Sequence, residues 1–212
     1  MEVSPCTCET VVSPSAALYI LSFVSSRSMH VYRFFSRLNM TSLHPLLVRC
    51  FQRAGYDAST LNSSLSTIVV DKPSCERFFV KTGRNVAQMR GEAESLKAIA
   101  NIAPDLVPRV IGFEVDESGK EAGMVSRYFD LSSFRSSGTQ TELAKKVAEM
   151  HTPPAGVERY GFEVPTHCGM TEQDNTWEEG WMVFFRDRRL GDLVRRIDDA
   201  EITSAWEKMK AR

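Results

Sequence analysis

The chain has 212 residues, with 26 Lys+Arg against 27 Asp+Glu and a formal net charge of -1. That length suits one large domain or two small lobes with a buried core, and the charge balance excludes both a strongly basic nucleic-acid binder and an acidic, solvated, disordered chain. No apolar run reaches the roughly 18 residues of a membrane helix, and 12 Gly and 9 Pro leave out the fibrous and low-complexity classes.

Residues 1–39 read as an extension. No acidic residue occurs between Glu9 and Asp57, and Arg27, Arg33 and Arg37 stand among serines after a short apolar stretch. Arg and Ser without acids is transit-peptide composition. The simpler expectation is a poorly ordered terminus ahead of Met40. The protein is therefore expected in the cytoplasm, or in mitochondria if this stretch is a transit peptide.

From Met40 the chain reads as folded. Leu46, Leu47, Cys50 and Phe51 share one face of a short helix that stops at Gly55. Residues 66–71 and 77–81 are β-rich, and the turn Asp71-Lys72-Pro73-Ser74 between them predicts a hairpin. Val86, Met89, Ala93, Leu96, Ala100 and Ala103 then form one helical stripe. Strands follow at 107–114 and 123–129, separated by the turn Asp116-Glu117-Ser118-Gly119. This predicts a small sheet with one crossing helix over residues 40–131.

After Leu131 the texture is helical, and residues 132–212 form the second predicted region. Thr139-Gln140-Thr141-Glu142 fits a capping box ahead of Leu143, Val147 and Met150. Asn175-Thr176-Trp177-Glu178 reads as a second cap, followed by an aromatic stripe of Trp177, Trp181, Phe184 and Phe185 expected to face a core. A last helix carries Ile202, Trp206 and Met209.

The cysteines Cys6, Cys8, Cys50, Cys75 and Cys168 are odd in number and scattered, unlike a disulfide framework. Neither the Cys6/Cys8 pair nor His167-Cys168 has the partners of a zinc site, and no metal ligand is assigned. A reducing compartment is the default for such a set.

The chemistry-bearing pair is Lys81 and Glu92. Lys81 ends a strand. Glu92 shares a helix face with Leu96 and Ile99, where a carboxylate is costly unless paired. A strand lysine, a crossing-helix glutamate and two further strands make the nucleotide-lobe pattern of kinases, in which the lysine holds the phosphates and the glutamate holds the lysine.

Several blocks go further. Phe78–Gly83, Gly91–Leu96, Leu106-Val107-Pro108, Met150-His151, Tyr160–Gly169 and the run Asn175–Leu193 resemble the fructosamine/ketosamine-3-kinase family over about residues 42–210. The resemblance is nearest to fungal members, often called protein-ribulosamine 3-kinases. It implies an α+β, protein-kinase-like fold of the aminoglycoside and choline kinase type: an antiparallel sheet lobe with one crossing helix, plus an incomplete helical second lobe. It further implies ATP and Mg²⁺, and phosphorylation of the sugar 3-hydroxyl of ketosamines on glycated protein lysines or small amines. That adduct is unstable and releases the amine, a deglycation repair. Carried over, Lys81 matches the phosphate-binding lysine and Glu92 its helix partner. Ser126, Arg127, Tyr128 and Phe129 match the connector whose backbone meets adenine.

Two departures set expectations. The phosphate turn, read here as Asn62-Ser63-Ser64-Leu65-Ser66-Thr67, has no glycine, although close backbone approach to phosphate usually relies on one. The family's H-G-D-L-W-x-G-N catalytic loop and later metal-binding aspartate are expected beyond Arg212. Leu190-Gly191-Asp192-Leu193 imitates the loop but has Leu in place of His, and Ile197 where Asn is needed. No catalytic residue or Mg²⁺ ligand is therefore assigned, and this chain alone is expected not to turn over substrate. The alternatives are a non-catalytic nucleotide-binding or interaction module, or another small-molecule kinase of the same fold.

Overall fold

A computed structural model of the protein describes residues 43–131, 137–152 and 159–211. The predicted extension at 1–39, with Cys6 and Cys8, lies outside the described residues. The chain divides into two compact units, Met1–Thr152 and Pro153–Arg212.

The first unit is built on a five-stranded antiparallel sheet. Its strands are β1 (Leu61–Leu65), β2 (Ile68–Asp71), β3 (Arg77–Gly83), β4 (Val110–Val115) and β5 (Ala122–Arg127), in the spatial order β1-β2-β3-β5-β4. Helix α1 (Pro45–Arg53) precedes them, α2 (Val86–Ile102) crosses between β3 and β4, and α3 (Ser137–Met150) follows.

Strand alternation sorts the core into two layers. Phe78 and Val80 of β3 and Val125 of β5 pack with Leu47, Cys50 and Phe51 of α1. Ala122 and Met124 of β5 pack with Met89, Ala93 and Leu96 of α2. The two helices thus cover the two alternating residue sets of the sheet.

Local chemistry starts each helix. In α1 the His44 ring accepts from the Leu46 N–H at 3.3 Å and Pro45 occupies the first turn, where a missing N–H costs nothing. In α2 the Asn85 side chain accepts from the Gln88 N–H at 3.1 Å. Helix α1 sits close on the sheet: a Cβ on Gly112 would lie 2.7 Å from Cys50 Cβ, and one on Gly123 would lie 2.8 Å from Leu46 Cβ. Glu114 of β4 is buried and is gripped by Arg53 at 2.6 Å and Arg49 at 3.9 Å, both from α1.

Three expectations change in this unit. Residues 62–65, read as part of a long phosphate turn, are strand β1, paired Leu61 to Asp71 and Leu65 to Ile68 with a bulge between Ser63 and Leu65. The turn is only Ser66-Thr67. Neither residue takes a positive φ, so the turn as built does not call for glycine. Helix α3 begins at Ser137, so Thr139–Glu142 lies inside it and is not its cap. Leu143 and Met150 pack against the α2 cluster, so α3 joins the sheet unit where the sequence had divided the chain at 131/132.

The second unit contains a hairpin of β6 (Thr166–Cys168) and β7 (Thr171–Gln173), then α4 (Trp181–Val183), a π-helix over Phe184–Leu190, α5 (Gly191–Ile197) and α6 (Ala200–Lys210). The hairpin had no sequence expectation. Asn175–Glu178 does not cap a helix, since α4 begins at Trp181 with Gly180 before it. The aromatic stripe is only partly a core: Phe184 is buried, whereas Trp177, Trp181 and Phe185 are exposed. Trp181 stacks on Phe185 at 5.5 Å and meets Tyr160 at 5.7 Å.

Cys50 is a buried free thiol and Cys168 an exposed one, while Cys75 is disulfide-bonded.

Candidate functional site

The site is assembled on the α2 side of the sheet. Lys81 lies opposite Met124 in the β3–β5 ladder, and Met124 belongs to the α2 cluster. Side chains alternate along a strand, so Lys81 falls on that face while Phe78 and Val80 take the α1 side. Glu92 follows Met89 by three residues and precedes Leu96 by four, on the helix face that meets the sheet. The Lys81 ammonium donates to the Glu92 carboxylate, as the sequence pattern requires. Their side chains keep 28% and 24% of their exposure. The pair is therefore partly shielded yet open to a ligand.

Phe79 was not singled out from the sequence. The alternation that puts Lys81 on the α2 face puts Phe79 there too, two residues earlier, and it is 36% exposed. It pairs with Ser126 across the ladder. The period-2 pattern around Lys81 was the signal that could have found it.

The four connector residues do not share one situation. Ser126 is buried and paired to β3 and β4 on its two sides. The Arg127 N–H donates to the Arg109 carbonyl at 2.9 Å, and its guanidinium pairs with Glu76 at 2.7 Å. The Tyr128 N–H donates to the Arg77 carbonyl at 3.0 Å. The sheet thus takes the first three, and Phe129 is the first of the four beyond it.

In the second unit, the π-helix brings two successive arginines onto the 174–178 loop. Arg188 donates to Asp174 at 2.6 Å and to Glu178 at 2.7 Å, and Arg189 donates to the Asp174 carbonyl at 2.7 Å and to Asn175. The hydroxyl and N–H of Thr176, with Arg188, hold the Asp174 carboxyl down at about 2. Buried Asn175 also donates to the Val164 carbonyl at 2.8 Å and to the Thr166 hydroxyl at 3.0 Å, the latter tying this loop to the hairpin. Asp174, Asn175 and Thr176 line a cavity of about 390 Å³ together with Arg159, Glu163, Pro165 and Trp177.

Asp192, in the block that imitates a catalytic loop, lies in α5 and is paired with Arg196 at 2.6 Å and Arg195 at 3.6 Å. A helical carboxylate held by its own i+3 and i+4 neighbours is a surface pair. Among the described residues no group of three or more His, Cys, Asp or Glu is placed to hold a metal ion.

The family model described as fructosamine kinase matches residues 59–211. The chain belongs to the fructosamine kinase family. It is 36% identical over 125 residues to the chloroplastic protein-ribulosamine 3-kinase of Arabidopsis thaliana, which covers 58% of this chain and 37% of that protein. It is 28% identical over 164 residues to the ketosamine-3-kinase of Mus musculus, covering 64% of this chain and 53% of that one. The chain thus spans between a third and about half of the length of these curated relatives. A crystal structure from Thermobifida fusca, provisionally assigned as a fructosamine-3-kinase, superposes with a TM-score of 0.51 at 20% identity, covering 64% of this chain and 47% of that one. At that identity the likeness speaks for the fold, which is the α+β, protein-kinase-like architecture expected. Helix α1 lies ahead of the matched region.

Proposed function

We propose that the protein is an ATP-dependent ketosamine 3-kinase. It would transfer the γ-phosphoryl group of ATP to the sugar 3-hydroxyl of ribulosyl- or fructosyl-lysine, on glycated proteins or as small ketosamines. The observation that carries this reading is the Lys81–Glu92 pair, held on the ligand-accessible face of the sheet in a chain of this family. The Met1–Thr152 unit is then the nucleotide-binding lobe, and the Pro153–Arg212 unit part of the helical lobe.

The residues present fit the nucleotide. Lys81, tethered by Glu92, is a fixed cation for the α/β-phosphates. Phe79 offers an exposed ring for the base on the same face. Phe129 and the residues after it are the first connector positions whose N–H groups can meet adenine, because the N–H groups of Arg127 and Tyr128 are committed to the sheet. Ser66 and Thr67 bring hydroxyls to the β1–β2 turn in place of a glycine. Mg²⁺ would neutralise the charge of the transferred phosphate, and the described residues supply no ligand set for it. Release of the amine from the phosphorylated adduct makes the reaction a repair of glycated lysine. We place the protein in the cytoplasm, with mitochondria as the alternative if the Arg/Ser-rich stretch is a transit peptide.

The test has two arms. The purified 212-residue chain is titrated with a fluorescent ATP analogue, alongside Lys81→Met. Saturable binding by the parent that is lost in the variant is expected, and no binding by the parent overturns the nucleotide reading. The chain alone is also incubated with ribulosyl-lysine and γ-labelled ATP; no turnover is expected, because no catalytic residue is assigned and the described residues supply no Mg²⁺ ligand set. Label on any position other than the sugar 3-hydroxyl would overturn the substrate reading.

A further inference from the structure

We propose that Arg77 is a positioning residue that clamps the connector after β5 and so sets the affinity for the base of the nucleotide. The proposal rests on the nucleotide reading above and assigns a role to a residue outside the phosphate site.

Arg77 opens β3, and Tyr128 to Asp130 follow β5, its neighbour in the sheet. Three contacts join them. The Tyr128 N–H donates to the Arg77 carbonyl at 3.0 Å. The Arg77 guanidinium carbon lies 4.7 Å from the Tyr128 ring centroid, within cation–π range. One guanidinium nitrogen reaches Asp130 Oδ2 at 3.5 Å. The backbone contact extends the ladder by one residue, and the two side-chain contacts then hold residues on either side of Phe129.

The arrangement matters because β5 ends at Arg127 and no regular structure takes over at 128–131. A connector that must present backbone groups to a planar base gains affinity when it is ordered beforehand, since ordering it on binding costs conformational entropy. Arg77 is the side chain that reaches both Tyr128 and Asp130. Its planar guanidinium can lie over a ring and reach a carboxylate at once, which an ammonium does less well. It is distant in register from Lys81, four residues along β3, so its effect should fall on the base and spare the phosphates.

The experiment uses the full chain and calorimetric titration with ATP, adenosine and inorganic tripolyphosphate. Arg77→Gln is expected to weaken ATP and adenosine about 3–10-fold, the range of an exposed cation–π contact plus a weak ion pair. Tripolyphosphate affinity is expected to stay unchanged, and Arg77→Lys to recover part of the loss. A purely structural role would weaken tripolyphosphate in parallel, and that result, or unchanged ATP affinity, overturns the proposal. Should Arg77→Gln fail to fold, Tyr128→Leu combined with Asp130→Asn removes the same side-chain contacts from the other end and is read by the same criteria. A parent chain that binds none of the three overturns the nucleotide reading itself. A parent that binds them all, with no change in either variant, overturns only the clamp.

Discussion

Neutralising Glu92 tests the junction on which the functional reading stands. In Glu92→Gln the ammonium of Lys81 keeps a hydrogen-bond acceptor but loses its counter-charge. At an effective dielectric of about 20, unit charges about 4 Å apart attract by roughly 4 kcal/mol. Much of that is offset by taking both groups out of water. Fully exposed pairs net about 0–1 kcal/mol. With only about a quarter of each side chain still exposed, the expected coupling is about 1–2 kcal/mol, above the exposed range. The measurement is a double-mutant cycle of Lys81→Met and Glu92→Gln by urea unfolding, which isolates the pair from each residue's other contacts. Far-UV circular dichroism follows the sheet and α2. Tryptophan fluorescence is recorded with it, because Trp177, Trp181 and Trp206 are the only tryptophans and all lie in Pro153–Arg212. Nucleotide affinity should fall in both single variants, since Glu92 acts by holding Lys81 in place. A coupling below about 0.5 kcal/mol, the scale of an ordinary surface pair, would refute the reasoning.

Gly112→Ala should destabilise the first unit by about 1–3 kcal/mol, because the added methyl meets Cys50 Cβ at 2.7 Å and its Cα at 2.9 Å. Gly138→Ala, in α3 with nothing within 4 Å of the new Cβ, should instead raise stability by about 0.5–1 kcal/mol; thermal unfolding compares the two. Asp174→Asn should lower the stability of the second unit by about 1 kcal/mol at neutral pH, discounted because the side chain is 44% exposed. Asp174's carboxyl is held at about 2, below its usual value of 3.8, so its contribution is full above about pH 4 and disappears as pH falls through about 2; the gap between parent and variant in tryptophan-monitored unfolding should close over that interval. Cys50, whose thiol burial pushes up to about 12, should resist iodoacetamide at pH 8, while exposed Cys168 is alkylated, as peptide mass spectrometry will show.

Much of the sheet unit was legible in the chain itself. Periodicity placed α1, α2 and four of the five strands, because burial on one side of a helix or strand writes a pattern that needs no partner to be read. Glu92 was found because it interrupts an apolar helix face, and Lys81 because a strand-end lysine ahead of such a glutamate fits the kinase pattern. Strand β1 escaped, since Leu61–Leu65 carries three polar residues in a row at a sheet edge, and its strand character comes from the ladder with β2. The Asn175 block was misread as a cap, because a capping residue and a buried hub use the same side-chain types. Partners from far along the chain, Arg189 fourteen residues on and the Val164 carbonyl eleven residues back, distinguish them.

The sequence by itself placed a lysine at a strand end and a glutamate on an apolar helix face, and its longer blocks carried the resemblance to the family. Tertiary structure alone decided that the two meet and that the N–H groups of Arg127 and Tyr128 are taken up by the sheet. Those facts depend on ladder register and helix docking, which are set by contacts between residues far apart in the chain and leave no local pattern to read.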